Sequence, residues 1–339
     1  MRIGLTYDLR SDYLKQGYSE EETAEFDAEV TIDAIEKTLN ELRYPTERIG
    51  NIKLLVNSIA TGKRWDLVFN ITEGMYGIGR EAQVPALLDA YKIPYVFSDP
   101  LVMALTLHKG HTKRVIRDYG IPTADFAVIE TIEDVKKVNL PYPLFVKPVA
   151  EGTGKGIDAK SKVMLPFQLF EACENLLNKY NQPVLVETYL PGREFTVGIV
   201  GTGSKARVVG VMEIVVTAKA PEAVYSYTTK ENWHGVVEYS LATGRDLEAC
   251  SKVALSAWRV LGCRDGGRID LKMDSNCVPN FIEVNPLAGI NPDHSDLPML
   301  ARKNGIPYKQ LIRMIMNSAM SRVKINANLN LVKSYATVR

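Results

Sequence analysis

Apolar and polar residues along this 339-residue chain alternate with two different periods, and the switches between them mark out its elements. Over residues 1–103 short apolar runs are separated by amphipathic stretches. Ile3 to Tyr7, Trp65 to Ile71 and Pro94 to Phe97 read as strands. The positions Val30, Ala34, Ile35, Thr38 and Leu42 predict a helix from Ala28 to Leu42, and Glu81 to Tyr91 predicts another. Strands separated by helices imply a parallel sheet with ligands near the strand ends. Between Tyr7 and Phe26 lies a polar segment too long for a tight turn, which reads as a flap over a site.

A second unit opens near Ala104. Leu107 to Tyr119 predicts a basic helix carrying Lys109, Lys113, Arg114 and Arg117, stopped by Gly120 and Pro122. Pro143 to Lys147 reads as a short buried strand, 161–182 as a helix, and Pro183 to Glu187 as a strand with Phe195 to Gly201 antiparallel to it. From Val215 to Leu241 the pattern is irregular. Helices are predicted over Leu247 to Leu261, Asp296 to Asn304 and Tyr308 to Met320, and 321–339 reads as a tail.

The stretch from Arg268 to Asn285 carries the most chemistry. Ile269, Leu271 and Met273 alternate with Arg268, Asp270 and Lys272, and Ile282 and Val284 alternate with Phe281, Glu283 and Asn285. The turn formers Asp274-Ser-Asn between the halves predict a hairpin. Period-2 geometry then puts Asp270, Glu283 and Asn285 on one polar face beside Arg268. Two carboxylates and an amide carbonyl suit Mg²⁺, which is normally completed by substrate phosphates. With an arginine to offset developing charge, this is apparatus for phosphoryl transfer. A solvated hairpin face is the plainer alternative.

Two glycine-rich turns have different weight. Glu73 to Gly79 has spacing equally met by an ordinary βα turn. Glu151-Gly-Thr-Gly-Lys-Gly156 follows a strand ending in Lys147, so its N–H groups and the Thr153 hydroxyl can curl around phosphate oxygens with Lys147 as the charge. An exposed hairpin tip remains the other reading of that loop. Glu187 and Glu194 are placed to accept from an adenine amino group and ribose hydroxyls, or are solvated edge residues. The irregular 215–241 stretch can close over a site and bring Lys230 with it.

Composition narrows the function. Lys+Arg 41 against Asp+Glu 40 gives no global field for nucleic acid or membrane. Cys173, Cys250, Cys263 and Cys277 form no short-spaced pair, so neither a zinc site nor a disulfide framework is supported. Free thiols and the lack of a leader pattern or an apolar run of about 18 residues point to the cytoplasm.

These lysines, loops and hairpin together resemble the ATP-grasp superfamily, and within it the D-alanine–D-alanine ligases. The resemblance runs from about Val68 to Leu311 and is carried by 143–156, 184–197, 267–271 and 281–286. It implies an α/β fold: a Rossmann-like pre-ATP-grasp domain over 1–103, a central lobe over 104–186, a C-terminal lobe over 187–320, and the tail. It implies an ADP-forming ligase acting on two amino acids through an acyl phosphate, and a possible homodimer. ATP would be held by Lys109, Lys147, Thr153, Gly154, the hinge Glu187, Thr188, Tyr189 and Leu190, with Glu194 and Phe281. Two Mg²⁺ or Mn²⁺ ions would sit on Asp270, Glu283 and Asn285. Arg268, Lys230 and the backbone of Gly289 would serve the reaction, and Ser295 and Asp296 the acceptor.

The family's short glycine-serine turn and glutamate after the first strand are replaced here by residues 8–26, with Asp27 and Glu29 as approximate counterparts. Glu231 stands where a tyrosine usually follows the flap lysine, and Asp296 where an apolar side chain is usual. Asp296 either caps the following helix or receives a cationic or polar group of a larger acceptor. An ATP-grasp ligase with a different acceptor, or an ATP-binding protein without catalysis, are the other readings. The intact set Arg268, Asp270, Glu283 and Asn285 favours catalysis.

Overall fold

The computed structural model describes residues 1–217 and 237–336. Strands β1 (Ile3–Tyr7), β2 (Thr46–Gly50) and β3 (Leu67–Ile71) form a parallel sheet in the order β2-β1-β3. Every residue of β3 is buried, because both faces of the sheet are covered. Helix α2 (Glu29–Glu41) lays Ile32, Ile35 and Leu39 on one face. Helices α3 (Ile52–Ala60) and α4 (Gln83–Ala90) lay Leu55, Ile59 and Leu88 on the other. Pro94 to Phe97, expected as a strand, makes only a bridge to β3 at Val68–Tyr95. The chain turns away at Phe97, where φ is +75° and the N–H donates to Asp265 at 2.9 Å.

Helices α5 (Pro100–Leu107) and α6 (Lys109–Asp118) lead into an antiparallel sheet of β4 (Phe126–Ile129), β5 (Leu144–Pro148), β6 (Lys162–Val163) and β7 (Val184–Thr188), in the order β4-β7-β5-β6. Helix α7 (Pro166–Tyr180) covers it through Leu169 and Cys173, starting after β6 rather than at 161. A third sheet joins β8 (Glu194–Val200), β9 (Arg207–Val216), β10 (Val237–Leu241), β11 (Gly266–Met273) and β12 (Pro279–Asn285), in the order β10-β9-β8-β11-β12. The helix Gly244–Val260 packs Ala254 and Trp258 on it.

Strands β7 and β8 are therefore not partners, contrary to expectation. The chain crosses between sheets at Gly192, whose N–H donates to the Met273 carbonyl at 2.9 Å and whose Cα has no room for a side chain, since a Cβ there would lie 2.5 Å from that oxygen. Strand β7 also continues two residues past the expected junction at 186. The 215–241 stretch is regular at both ends, where Val216 pairs with Val237. The last helix, Tyr308–Ala336, runs on through much of the expected tail.

Asp265 fastens three parts of the molecule. It is fully buried in the left-handed conformation, and its carboxylate accepts from Phe97 N–H, Thr202 Oγ1 (3.2 Å), Ser318 Oγ (2.8 Å) and Arg322 Nη2 (2.6 Å). Removing one partner of a buried ion pair leaves the other uncompensated. Asp265→Ala should cost about 3–5 kcal/mol of unfolding free energy in urea titrations. A loss below about 1 kcal/mol, the scale of a surface pair, would show that the joint is not structural.

Candidate active site

The site is built on β11, which is paired on both sides. Across the β11–β12 pair Arg268 faces Asn285 and Asp270 faces Glu283, so the four groups predicted to share a face do so. Thr196 Oγ1 donates to Asp270 Oδ1 at 2.7 Å, and Asn285 Nδ2 to Asp270 Oδ2 at 3.1 Å. Arg268 Nη1 lies 2.6 Å from Asp296 Oδ2 and 3.3 Å from Asp270 Oδ2.

Beyond Asp270 the register slips, so that Leu271 pairs with Phe281 and Ile282 is the extra residue of a bulge. This corrects the expected alternation. Phe281 turns into the core, fully buried, and Ile282 lines the cavity in its place. The Phe281 carbonyl accepts from Thr123 Oγ1 at 2.8 Å and Lys113 Nζ at 3.3 Å.

A cavity of about 360 Å³ lies between the second and third sheets. Lys109, Lys147, Gly154, Thr188, Tyr189, Leu190, Glu194, Arg268, Asp270 and Glu283 all line it. Lys109 Nζ donates to the Glu151 carbonyl at 2.6 Å and lies 3.4 Å from Glu283 Oε2. Glu187 bridges two lysines, with Lys113 Nζ 2.6 Å from Oε1 and Lys147 Nζ 2.8 Å from Oε2. Burial opposes its charge, yet the two ammonium groups outweigh burial and hold its carboxyl down at about 2. Burial lowers both lysines: at Lys147 the carboxylates of Glu187, Glu283 and Glu194 together outweigh it and raise the group, whereas at fully buried Lys113 burial, with the charge of Lys147, prevails and lowers it. The Glu187 carboxylate, expected against adenine, is thus committed to lysines, and Glu194 is 2.9 Å from Lys272. Lys113 is the residue the sequence reading did not single out; its signal is the i,i+4 spacing from Lys109 on one helix.

The glycine loop is described in full. Thr153 and Gly154 have φ of +50° and +77°, and Thr153 Oγ1 is buried with no hydrogen-bond partner among the described residues, as is Thr188 Oγ1. The segment expected as a flap carries the short helix α1 (Arg10–Lys15) and docks on this loop. Glu25 Oε1 accepts from Gly152 N–H at 2.6 Å, and Glu25 Oε2 lies 2.7 Å from Arg80 and 3.6 Å from Lys155. The other glycine-rich turn is an ordinary βα turn: Gly74 N–H donates to Asp8 at 2.9 Å, and acidic neighbours make it unsuited to phosphate.

Of the remaining candidates, Asp27 stands beside β1, bridged to Leu9, with its N–H on the Asp8 carbonyl at 3.2 Å. Its side chain bonds Thr31, whose Oγ1 accepts from Asn291 Nδ2 at 2.9 Å, so Asp27 adjoins the loop that follows β12. Glu29 does not join it. It sits on the outer face of α2 with Asp33 and Glu36, all paired to Arg48, as their i, i+4, i+7 spacing dictates. In the loop, a Cβ on Gly289 would come 2.9 Å from Ser295 Oγ, which accepts from Asn291 N–H at 3.0 Å. Ser295 is the N-cap of the helix Asp296–Lys303, without a side-chain cap bond. Lys230 lies outside the described residues.

A lysine-lined cavity between two antiparallel sheets, walled by a glycine loop and a carboxylate hairpin, defines an ATP-grasp enzyme. Residues 115–317 match the family described as D-ala D-ala ligase C-terminus. The D-alanine–D-alanine ligase of Cupriavidus necator is 34% identical over 260 residues, spanning 75% of this chain and 76% of that protein. Two solved structures share the fold. A D-alanine–D-alanine ligase from Bacillus anthracis complexed with ATP has a TM-score of 0.72 at 22% identity, covering 96% of this chain and 99% of its own. A D-Ala:D-Ser ligase from Enterococcus faecalis has a TM-score of 0.71 at 19% identity, covering 94% and 99%. The chain belongs to the D-alanine–D-alanine ligase family and is an ATP-dependent carboxylate–amine ligase.

Burial, with help from Asp8, lifts the Asp27 carboxyl to about 7, and burial likewise lifts Glu81 to about 7. A group with a raised folded pKa binds its proton more tightly in the native state. Its stabilisation is full below the unfolded value of about 4 and is lost as pH rises through about 7. Apoprotein stability should therefore fall between these limits, and Asp27→Asn should gain on wild type as pH rises from 5 to 8. Parallel urea-midpoint profiles for the two proteins would show that Asp27 does not titrate in this window.

Proposed function

We propose that the protein activates the carboxylate of one amino acid by phosphoryl transfer from ATP and joins it to the amine of a second, releasing ADP and phosphate. One observation carries this reading: Arg268, Asp270 and Glu283, from the face they share with Asn285, line the same cavity as Lys109 and Lys147. A binding protein needs the lysines but not an arginine beside the carboxylate pair.

The residues fit Mg²⁺ or Mn²⁺. Asp270 and Glu283 stand opposite one another as hard oxygen donors, and Asn285, which donates its amide N–H to Asp270, carries the amide oxygen that would complete the set. A bound ion would offset the charge of the phosphate oxygens, and the reading includes two such ions. Lys109 and Lys147 then bind the phosphates, and the unpartnered Thr153 hydroxyl donates to them with the Gly154 N–H. The hinge from Glu187 to Leu190 abuts the adenine, and Glu194 meets the ribose on release from Lys272. Arg268 and the Gly289 N–H face the oxygen that gains charge as the carboxyl is phosphorylated and attacked. Lys230 would add a further cation.

The first amino acid's ammonium would sit near Asp27, whose carboxylate it would stabilise against burial and the charge of Asp8. Ser295 meets the second. The E. faecalis relative is a D-Ala:D-Ser ligase, so this fold serves more than one acceptor, and the 286–296 loop would set the acceptor here. Residues 1–103, the central sheet and the third sheet act as the three working units. The four free cysteines, and the absence among the described residues of a helix able to cross a membrane, support action in the cytoplasm.

Phosphate release screened over pairs of amino acids tests the reaction. ATP turnover should depend on Mg²⁺ and be stimulated by a specific pair. Glu283→Gln should lower kcat by roughly 100-fold or more with an unchanged urea midpoint. Lys147→Ala should chiefly raise the KM for ATP, whereas Arg268→Ala should chiefly lower kcat. Wild-type activity in Glu283→Gln at limiting Mg²⁺ would remove the metal assignment.

A further inference from the structure

The active face of β11 ends on a contact that the roles above do not use. Arg268 Nη1 is 2.6 Å from Asp296 Oδ2, and the two side chains are only 15% and 14% exposed. Local sequence offers Asp296 two roles, a helix cap or a receptor for a polar group on the acceptor. The structure adds a third, a contact with Arg268. Ser295 holds the N-cap position, and Asp296 is the first residue of the helix, with its carboxylate turned back across 28 residues of sequence to the arginine.

The same nitrogen of Arg268 lies 3.3 Å from Asp270 Oδ2, an oxygen of the cation-binding set. Arg268 therefore stands between two carboxylates with different tasks. Asp270 is held by Thr196 and Asn285. Asp296 is held by the helix it opens, whose positive end favours a carboxylate in the first turn. A guanidinium has five donors in a fixed fork, so a carboxylate that grips one corner sets the direction of the rest. Without Asp296 the guanidinium loses its shorter carboxylate contact and keeps the one to Asp270, so its orientation is no longer fixed from both sides. A carboxylate already paired at this distance also exerts little repulsion on an acceptor carboxylate, which an unpaired aspartate would repel.

We propose that Asp296 is a positioning residue: anchored in the first turn of its helix, it shares the Arg268 guanidinium with Asp270 and fixes the direction in which the remaining donors face the reacting carboxyl, tying the acceptor loop to the phosphoryl site. This rests on the reading of Arg268 given above. The helix Asp296–Lys303 follows directly on the loop carrying Gly289 and Ser295, so a shift of that loop when an acceptor enters is transmitted to the arginine.

Asn keeps the shape of Asp and is tolerated at a helix start, so Asp296→Asn tests the charge without removing the side chain. It should lower kcat on the order of 10-fold or more, as misplacing an oriented group does, with the KM for ATP unchanged. Asp296→Glu, which restores the carboxylate, should recover part of the loss. An unchanged kcat with only a lower urea midpoint would reduce Asp296 to a helix-terminus residue and overturn the proposal. A readout independent of substrate is the double-mutant cycle of Arg268→Met and Asp296→Asn in urea unfolding, where the two changes should be non-additive. Additivity would show that the contact does not exist in solution. A wild-type protein inert toward every amino-acid pair counts instead against the reaction proposed in the preceding section.

Discussion

Everything at the site depends on β11 being a central strand. Held by β8 on one side and β12 on the other, it cannot slide, because a slip of one residue would turn Arg268 and Asp270 into the core and Ile269 into the cavity. Asp270 is 8% exposed, and burying a carboxylate is costly unless its oxygens are satisfied. Thr196 from β8, Asn285 from β12 and the guanidinium of Arg268 satisfy them, so the strand pairing that fixes the register also supplies the groups that make the buried charge tolerable.

The opposite wall solves the reverse problem, that of keeping ammonium groups in a buried place. Lys113 and Lys147 share the one carboxylate of Glu187, which leaves an excess of positive charge. Such a wall is incomplete by itself and complementary to a polyanion. The cost of burying three charges is offset in part by their mutual attraction. The same arrangement ties α6 to β5 and β7, so this wall of the cavity is also a structural joint.

The polar segment that follows β1 is part of this apparatus. Glu25 is bonded to the glycine-loop backbone and paired with Arg80 from the first unit, and Asp27, two residues on, adjoins the loop after β12. One short stretch thus touches both the glycine loop and the loop after β12, and acts as a strut between them.

Periodicity in the sequence let β2 and α3 escape but determined β1, β3, α2 and α4 of the first unit, the hairpin from Arg268 to Asn285 and its shared polar face, and the glycine loop after Lys147. These depend on spacing between near neighbours, and spacing is what a sequence displays. Only the tertiary structure decided that Ile282 bulges and sends Phe281 into the core, that β7 and β8 enter different sheets at Gly192, that Lys113 joins Lys147 on Glu187, that Glu29 faces outward, and that Asp296 reaches Arg268. Each of these joins residues distant in sequence, or turns on whether a neighbouring backbone leaves room for a side chain. No local propensity records such contacts, because their energy exists only once the sheets have come together.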